Sequence, residues 1–149
     1  MRLLFSWHAA VVGPYRRYVE CLASLPGNQV LLLTPPRWFE GNRWVEAGAQ
    51  THESFRWVTL PVSNERDHIQ FTYHGLEGVL REFQPDTAFI YEEPWSRAMA
   101  QHLWLLKKDF SRARTVFYSY QNIYNRYGWP HWAIEWLCHR LVQGAVVAG

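Results

Sequence analysis

Five short apolar runs constrain the fold of this chain more than any other feature. They occupy residues 3–7, 29–34, 87–91, 114–119 and 145–148. Each is too short for a globular helix and shows little polar alternation. Such runs read as strands buried on both faces, the mark of a parallel sheet. Helical spacing fills the intervals. Gly13-Pro14 opens a helix with Tyr15, Tyr18, Val19, Leu22 and Ala23 on its inner face, ended by Pro26-Gly27-Asn28. Ile69, Tyr73, Leu76, Leu80 and Phe83 define the next helix. Gly75 and Gly78 inside it each cost about 1 kcal/mol against Ala, so close packing is expected there. Trp95, Met99, Leu103 and Leu106 give a third helix, closing on Lys107 and Lys108, cations suited to a helix C-terminus. Pro130 starts the last helix, with Ile134, Leu137, Cys138, Leu141 and Val142 as its core stripe.

Residues 35–42 and 63–68 read as loops, and residues 44–47 and 55–60 as lesser strands. The order is β-α-β, an irregular β stretch, then α-β-α-β-α-β. It predicts a doubly wound α/β domain of Rossmann-like type with a mostly parallel sheet. The 149 residues fit one domain, residues 1–149.

Composition narrows the class. Hydrophobic residues make up 48% and charged residues 19%, which is globular rather than disordered. A net charge of +2, with no basic stripe, argues against nucleic acid, although Arg37-Trp38-Phe39 and Arg43-Trp44 interleave cations with rings. Cys21 and Cys138 have no CxxC or metal spacing and read as reduced thiols, which favours a cytoplasmic setting. The first eight residues are too short for a signal-peptide core, and no apolar run reaches membrane-spanning length. His68 with His74, and His131 with His139, lack helical ligand spacing, so no metal is expected. Neither GxGxxG, a P-loop nor a G-x-S-x-G elbow occurs.

In such sheets ligands sit beyond the carboxyl ends of the strands. That rule selects four loops, residues 7–13, 35–42, 92–96 and 120–127. The first offers His8 and Gly13, a backbone able to approach a ligand before a helix. Glu92 and Glu93 are adjacent at a strand end and point to opposite sides. One can face the cleft while the other orients a neighbour. Gln121 and Asn122 suit a hydroxyl-rich ligand, and Arg126 suits a phosphate. Trp129, Trp132 and Trp136 form a second stripe on the last helix. Burial under neighbouring loops is the expected outcome. Contact with a membrane surface or partner domain is the alternative.

The run from Gln84-Pro85-Asp86 through Glu92-Glu93-Pro94-Trp95-Ser96 resembles a segment of the family 4 glycosyltransferases, which have the GT-B fold. Tyr120-Gln121-Asn122-Ile123-Tyr124-Asn125-Arg126-Tyr127, Pro130, Ile134-Glu135 and the closing Gly144-Ala145-Val146-Val147-Ala148-Gly149 resemble a second. The resemblance implies an N-terminal, acceptor-binding domain of a retaining glycosyltransferase. The donor, a nucleotide-diphosphate sugar, would bind a C-terminal domain with an E-x7-E motif, which this chain lacks. The acceptor would be a glycan, a lipid-linked sugar or a small molecule. The fragment alone would be inactive, without cofactor or metal, with peripheral contact at the inner membrane face left open. Glu92 stands where some relatives have His, which makes it the leading catalytic candidate. His8, Gly13, Glu93, Gln121, Asn122 and Arg126 are the substrate-binding candidates. The main alternative is a non-catalytic α/β binding or interaction module.

Overall fold

The computed structural model describes residues 1–48, 52–120 and 126–147. Its centre is a six-stranded, all-parallel sheet. In chain order the strands are β1 (Arg2–Ser6), β2 (Gln29–Thr34), β5 (Arg56–Thr59), β8 (Thr87–Ile90), β9 (Arg114–Ser119) and β10 (Gly144–Val147). Across the sheet the order is β10-β9-β8-β1-β2-β5. Leu4 pairs with Leu31 on one side and Ala88 on the other, and all three are fully buried. This is the Rossmann-like α/β architecture expected from the apolar runs. The strand order reverses between β1 and β8, so the crevice for ligands opens beyond the ends of those two strands.

Four helices make the crossovers, α1 (Arg17–Ala23), α2 (Leu76–Phe83), α3 (Arg97–Asp109) and α4 (His131–Leu141). The helix expected from Gly13 starts as two 3-10 turns, His8–Val11 and Gly13–Arg16, and becomes α-helical only at Arg17. α3 begins at Arg97, after Trp95, which was expected on its stripe. Ser96 caps it, its hydroxyl accepting from the Met99 N–H at 3.1 Å.

Three local expectations are corrected. Residues 37–40 are not loop. β3 (Arg37–Glu40) pairs antiparallel with β4 (Arg43–Glu46), and Trp38 turns inward as part of the core. Ile69 and Tyr73 are not on a helix. The Asp67 carboxylate accepts from the N–H groups of Ile69 and Gln70, holding a turn. β6 (Val62–Ser63) then pairs with β7 (Thr72–Tyr73). Gly75, at φ +83°, stops any helix from running through it and stands as the cap of α2. Gly78 has no close neighbour, so it does not mark a tight contact.

The last helix departs further. Of its expected stripe only Cys138 is fully buried, and Leu137 is 45% exposed. Trp129, Trp132 and Trp136 are exposed rather than covered, Trp129 at 76%. α4 packs beside α3, and β10 is the sheet edge, so among the described residues no further helix covers the outer face of α4.

Candidate functional site

β1 leads directly into His8, and β8 leads into Glu92, so the switch point sets these two residues side by side. His8 Nδ1 lies 2.7 Å from Glu92 Oε2. The His8 backbone N–H donates to Glu92 Oε1 at 3.1 Å. The carboxylate thus grips one residue by ring and main chain together. Glu92 is 2% exposed, against an exposed or half-exposed norm for Glu. Burial pushes its carboxyl pKa upward, and the His8 contact pulls part of the way back.

Glu93 turns the other way, as adjacent strand-end residues must. Its Oε2 accepts from Ser119 Oγ at 2.5 Å, and its Oε1 from the Tyr120 N–H at 3.2 Å. It ties the end of β8 to the end of β9. The first loop is held by Arg16, whose Nη1 donates to the carbonyls of Ala10 and Val11 at 2.9 and 3.1 Å. The same guanidinium sits over the Trp57 ring at 4.6 Å.

Around His8 the walls are rings. Trp7 stacks on Tyr91 at 4.3 Å and on Tyr15 at 5.5 Å. His8 itself leans on Trp38 at 4.5 Å and meets Phe71 edge-on. Burial, with Tyr118 nearby, raises the Tyr91 phenol to about 12. Trp7, His8, Tyr15, Tyr91 and Glu92 line a cavity of about 330 Å³ that also takes in Ala9, Glu40, His68, Glu93 and Tyr120. A larger hollow, about 730 Å³, opens by Met1, Asp86 and Arg114, at the amino ends of β1, β8 and β9. The sheet rule places chemistry at the opposite end, where the His8–Glu92 pair stands.

Each sequence candidate has a place. His8, Glu92 and Glu93 converge on the cavity. Glu92, expected to face the cleft outright, lies behind His8. Gly13 begins the second 3-10 turn and is not among the lining residues. Arg126 is exposed and is not a described lining residue. Gln121 and Asn122 lie outside the described residues. Tyr15, Glu40 and His68 are the additions that sequence reasoning missed. Tyr15 was assigned to a helix core stripe, and Glu40 and His68 to undifferentiated loops. Among the described residues no group of three or more His, Cys, Asp or Glu could hold a metal, and no helix is long and apolar enough to cross a membrane.

This fold and site define a Rossmann-like α/β domain with a switch-point cavity. No family model matches the sequence, and no curated protein does. Two solved structures share the fold. One is a UDP-glucuronic acid 4-epimerase from Bacillus cereus in complex with NAD. Its identity is 11% and TM-score 0.51, over 95% of this chain and 51% of that one. The other is a dTDP-glucose 4,6-dehydratase from Bacillus anthracis in complex with NAD, 12% identical with TM-score 0.56, over 99% of this chain and 53% of that one. The chain therefore spans about half the length of these neighbours. Both are named as enzymes. They overturn the family 4 glycosyltransferase reading. The matched folds belong to NAD-bound sugar-nucleotide epimerases and dehydratases, not to GT-B enzymes, and sugar transfer with its donor and acceptor is set aside. The motifs behind that reading are loose in sequence, and a strand followed by acidic residues and Pro is open to many α/β domains.

NAD itself does not fit this chain's residues. A dinucleotide needs a glycine-lined turn after β1 so that its pyrophosphate can approach the helix N-terminus. Here residues 7–12 contain no glycine, and Ala9, Ala10 and Val11 turn into the core. The His8 N–H, which would meet the anion, is already given to the Glu92 carboxylate. At the end of β2, where a ribose-binding acid would stand, the residue is Thr34.

Proposed function

We propose that this domain binds a small hydroxylated ligand in the switch-point cavity, and that His8 exchanges a proton with one of its hydroxyls. Glu92 is the positioning residue. The observation that carries the reading is the 2.7 Å contact between His8 Nδ1 and a buried carboxylate. A carboxylate that accepts from Nδ1–H fixes the tautomer and leaves Nε2 as the proton acceptor. It also stabilises the imidazolium that forms when Nε2 takes the proton. Glu92 gives His8 both services, and its second oxygen fixes the main chain that carries the ring.

Flat rings edged with carboxylates suit a sugar-like ring, whose C–H face packs on an aromatic wall while its hydroxyls donate to acids. Both fold neighbours are named for sugar nucleotides, which supports the sugar half of that chemistry. Their NAD receives no support from this loop.

The test is a two-bond proton–nitrogen NMR correlation on His8, run with and without glucose. The expected neutral tautomer carries its proton on Nδ1, and glucose shifts the Nε2 resonance. A proton on Nε2 alone, or a ring indifferent to glucose that binds elsewhere, sinks the proposal.

A further inference from the structure

The charge of the cavity points beyond a neutral sugar. Resting on the reading of this cavity as the ligand site, we infer that its ligand carries a protonated amine, as an amino sugar does. Three carboxylates line the cavity, Glu40, Glu92 and Glu93, and no Lys or Arg is among the described lining residues. Arg43 stands opposite Glu40 in the β3–β4 register but makes no described contact with it, and three further cations are committed elsewhere. Arg16 is spent on the Ala10 and Val11 carbonyls. Arg37 pairs with Glu65 at 2.8 Å, and Arg66 lies over the Phe39 ring at 4.3 Å.

The three acids differ in what they can offer. Glu92 is held by His8. Glu93 is held by Ser119 and the Tyr120 main chain. Glu40, at the end of β3, is half-buried and makes no described hydrogen bond or ion pair. It is the carboxylate left to meet a ligand charge. The aromatic walls act in the same direction. Ring faces are negative, and an ammonium group over Trp or Tyr is attracted to them. A low-dielectric recess lined by one sign of charge concentrates that field. An anionic ligand such as a phosphate ester would instead face Glu40 with no described cation beside it, which gives discrimination by repulsion.

Three probes built on one ring separate the cases. They are glucosamine, glucose and glucose 6-phosphate, titrated into the whole chain while His8 and Trp7 are followed by NMR. Glucosamine is expected to bind about tenfold more tightly than glucose, a preference that high salt weakens, and the phosphate ester is expected to bind weakest. Glu40→Gln should cut the preference for glucosamine over glucose at least threefold, with the thermal midpoint unchanged. Equal binding of glucosamine and glucose, with His8 still perturbed, overturns the amine inference and leaves the hydroxylated-ligand reading standing. So does tighter binding of the phosphate ester. No perturbation of His8 or Trp7 by any probe overturns both.

Discussion

Trp57 donates its indole N–H to Thr34 Oγ1 at 2.9 Å, with both side chains inside the protein. The contact closes the carboxyl end of β2 against its neighbour β5. In a dinucleotide-binding sheet that strand end is where a carboxylate meets the ribose. Here the position is a small hydroxyl, already used. Thr34→Val removes the acceptor and leaves a buried indole N–H unsatisfied, a cost of roughly 1–3 kcal/mol. Thr34→Ser keeps the oxygen and is expected to lose less than half as much. Urea unfolding of both variants checks the difference. Equal losses would show that the methyl group, not the hydrogen bond, is what matters.

His102 is fully buried in α3, its ring nitrogen Nδ1 donating to the Ala98 carbonyl at 2.7 Å. Burial lowers its pKa from 6.5 to about 4. The unfolded chain therefore binds a proton that the folded chain refuses between those values. Stability is lost as pH falls through that window and is intact above it. A shift of this size corresponds to about 3 kcal/mol across the window. His102→Leu should flatten that part of the pH–stability curve. A variant as acid-sensitive as the parent would place the effect on another group.

The parallel sheet was legible because its strands are continuous apolar runs, and residues 30–34 can hardly be anything but buried. The switch point was legible too, since strand ends and loops follow from those runs, and they nominate His8 and Glu92. What sequence could not show is that these two touch, because 84 residues separate them and only the strand order brings them together. Tyr73 shows a different limit. Its spacing from Ile69 and Leu76 mimics a helix, but Gly75 in the left-handed region and the pairing with Val62 decide against one. The stripe on α4 fails for a third reason. Helical periodicity marks a face, and cannot say whether a neighbour exists to cover it.

The two thiols should differ sharply. Cys138 is buried, and desolvation, with Glu135 adding, raises its pKa to about 12. Cys21 is exposed on α1. Since the thiolate is the nucleophile, iodoacetamide at pH 8 is expected to label one site per native chain and two per unfolded chain. Peptide mapping identifies the sites. Rapid native labelling at Cys138 would mean that α4 opens from the body.

Glu92→Gln separates function from stability. The Glu92 carboxyl is raised above its ordinary 4.5 by burial. A raised carboxyl contributes stability that is fully present below the unfolded value and is lost as pH rises through the folded value. At neutral pH the charged Glu92 is thus a burden on the fold, relative to a neutral group of the same shape. Gln fills the space, and its carbonyl still accepts from the His8 ring or main chain. The variant should be at least as stable as the parent at pH 7, with the difference vanishing near pH 4. The cost falls on His8 instead. A Gln amide can donate as well as accept, so it no longer fixes which His8 nitrogen carries the proton. Thermal midpoints at both pH values, set beside the two-bond proton–nitrogen correlation of His8, test the two halves separately. A loss of stability at pH 7 would make Glu92 a structural anchor, and an unchanged His8 tautomer would remove its positioning role.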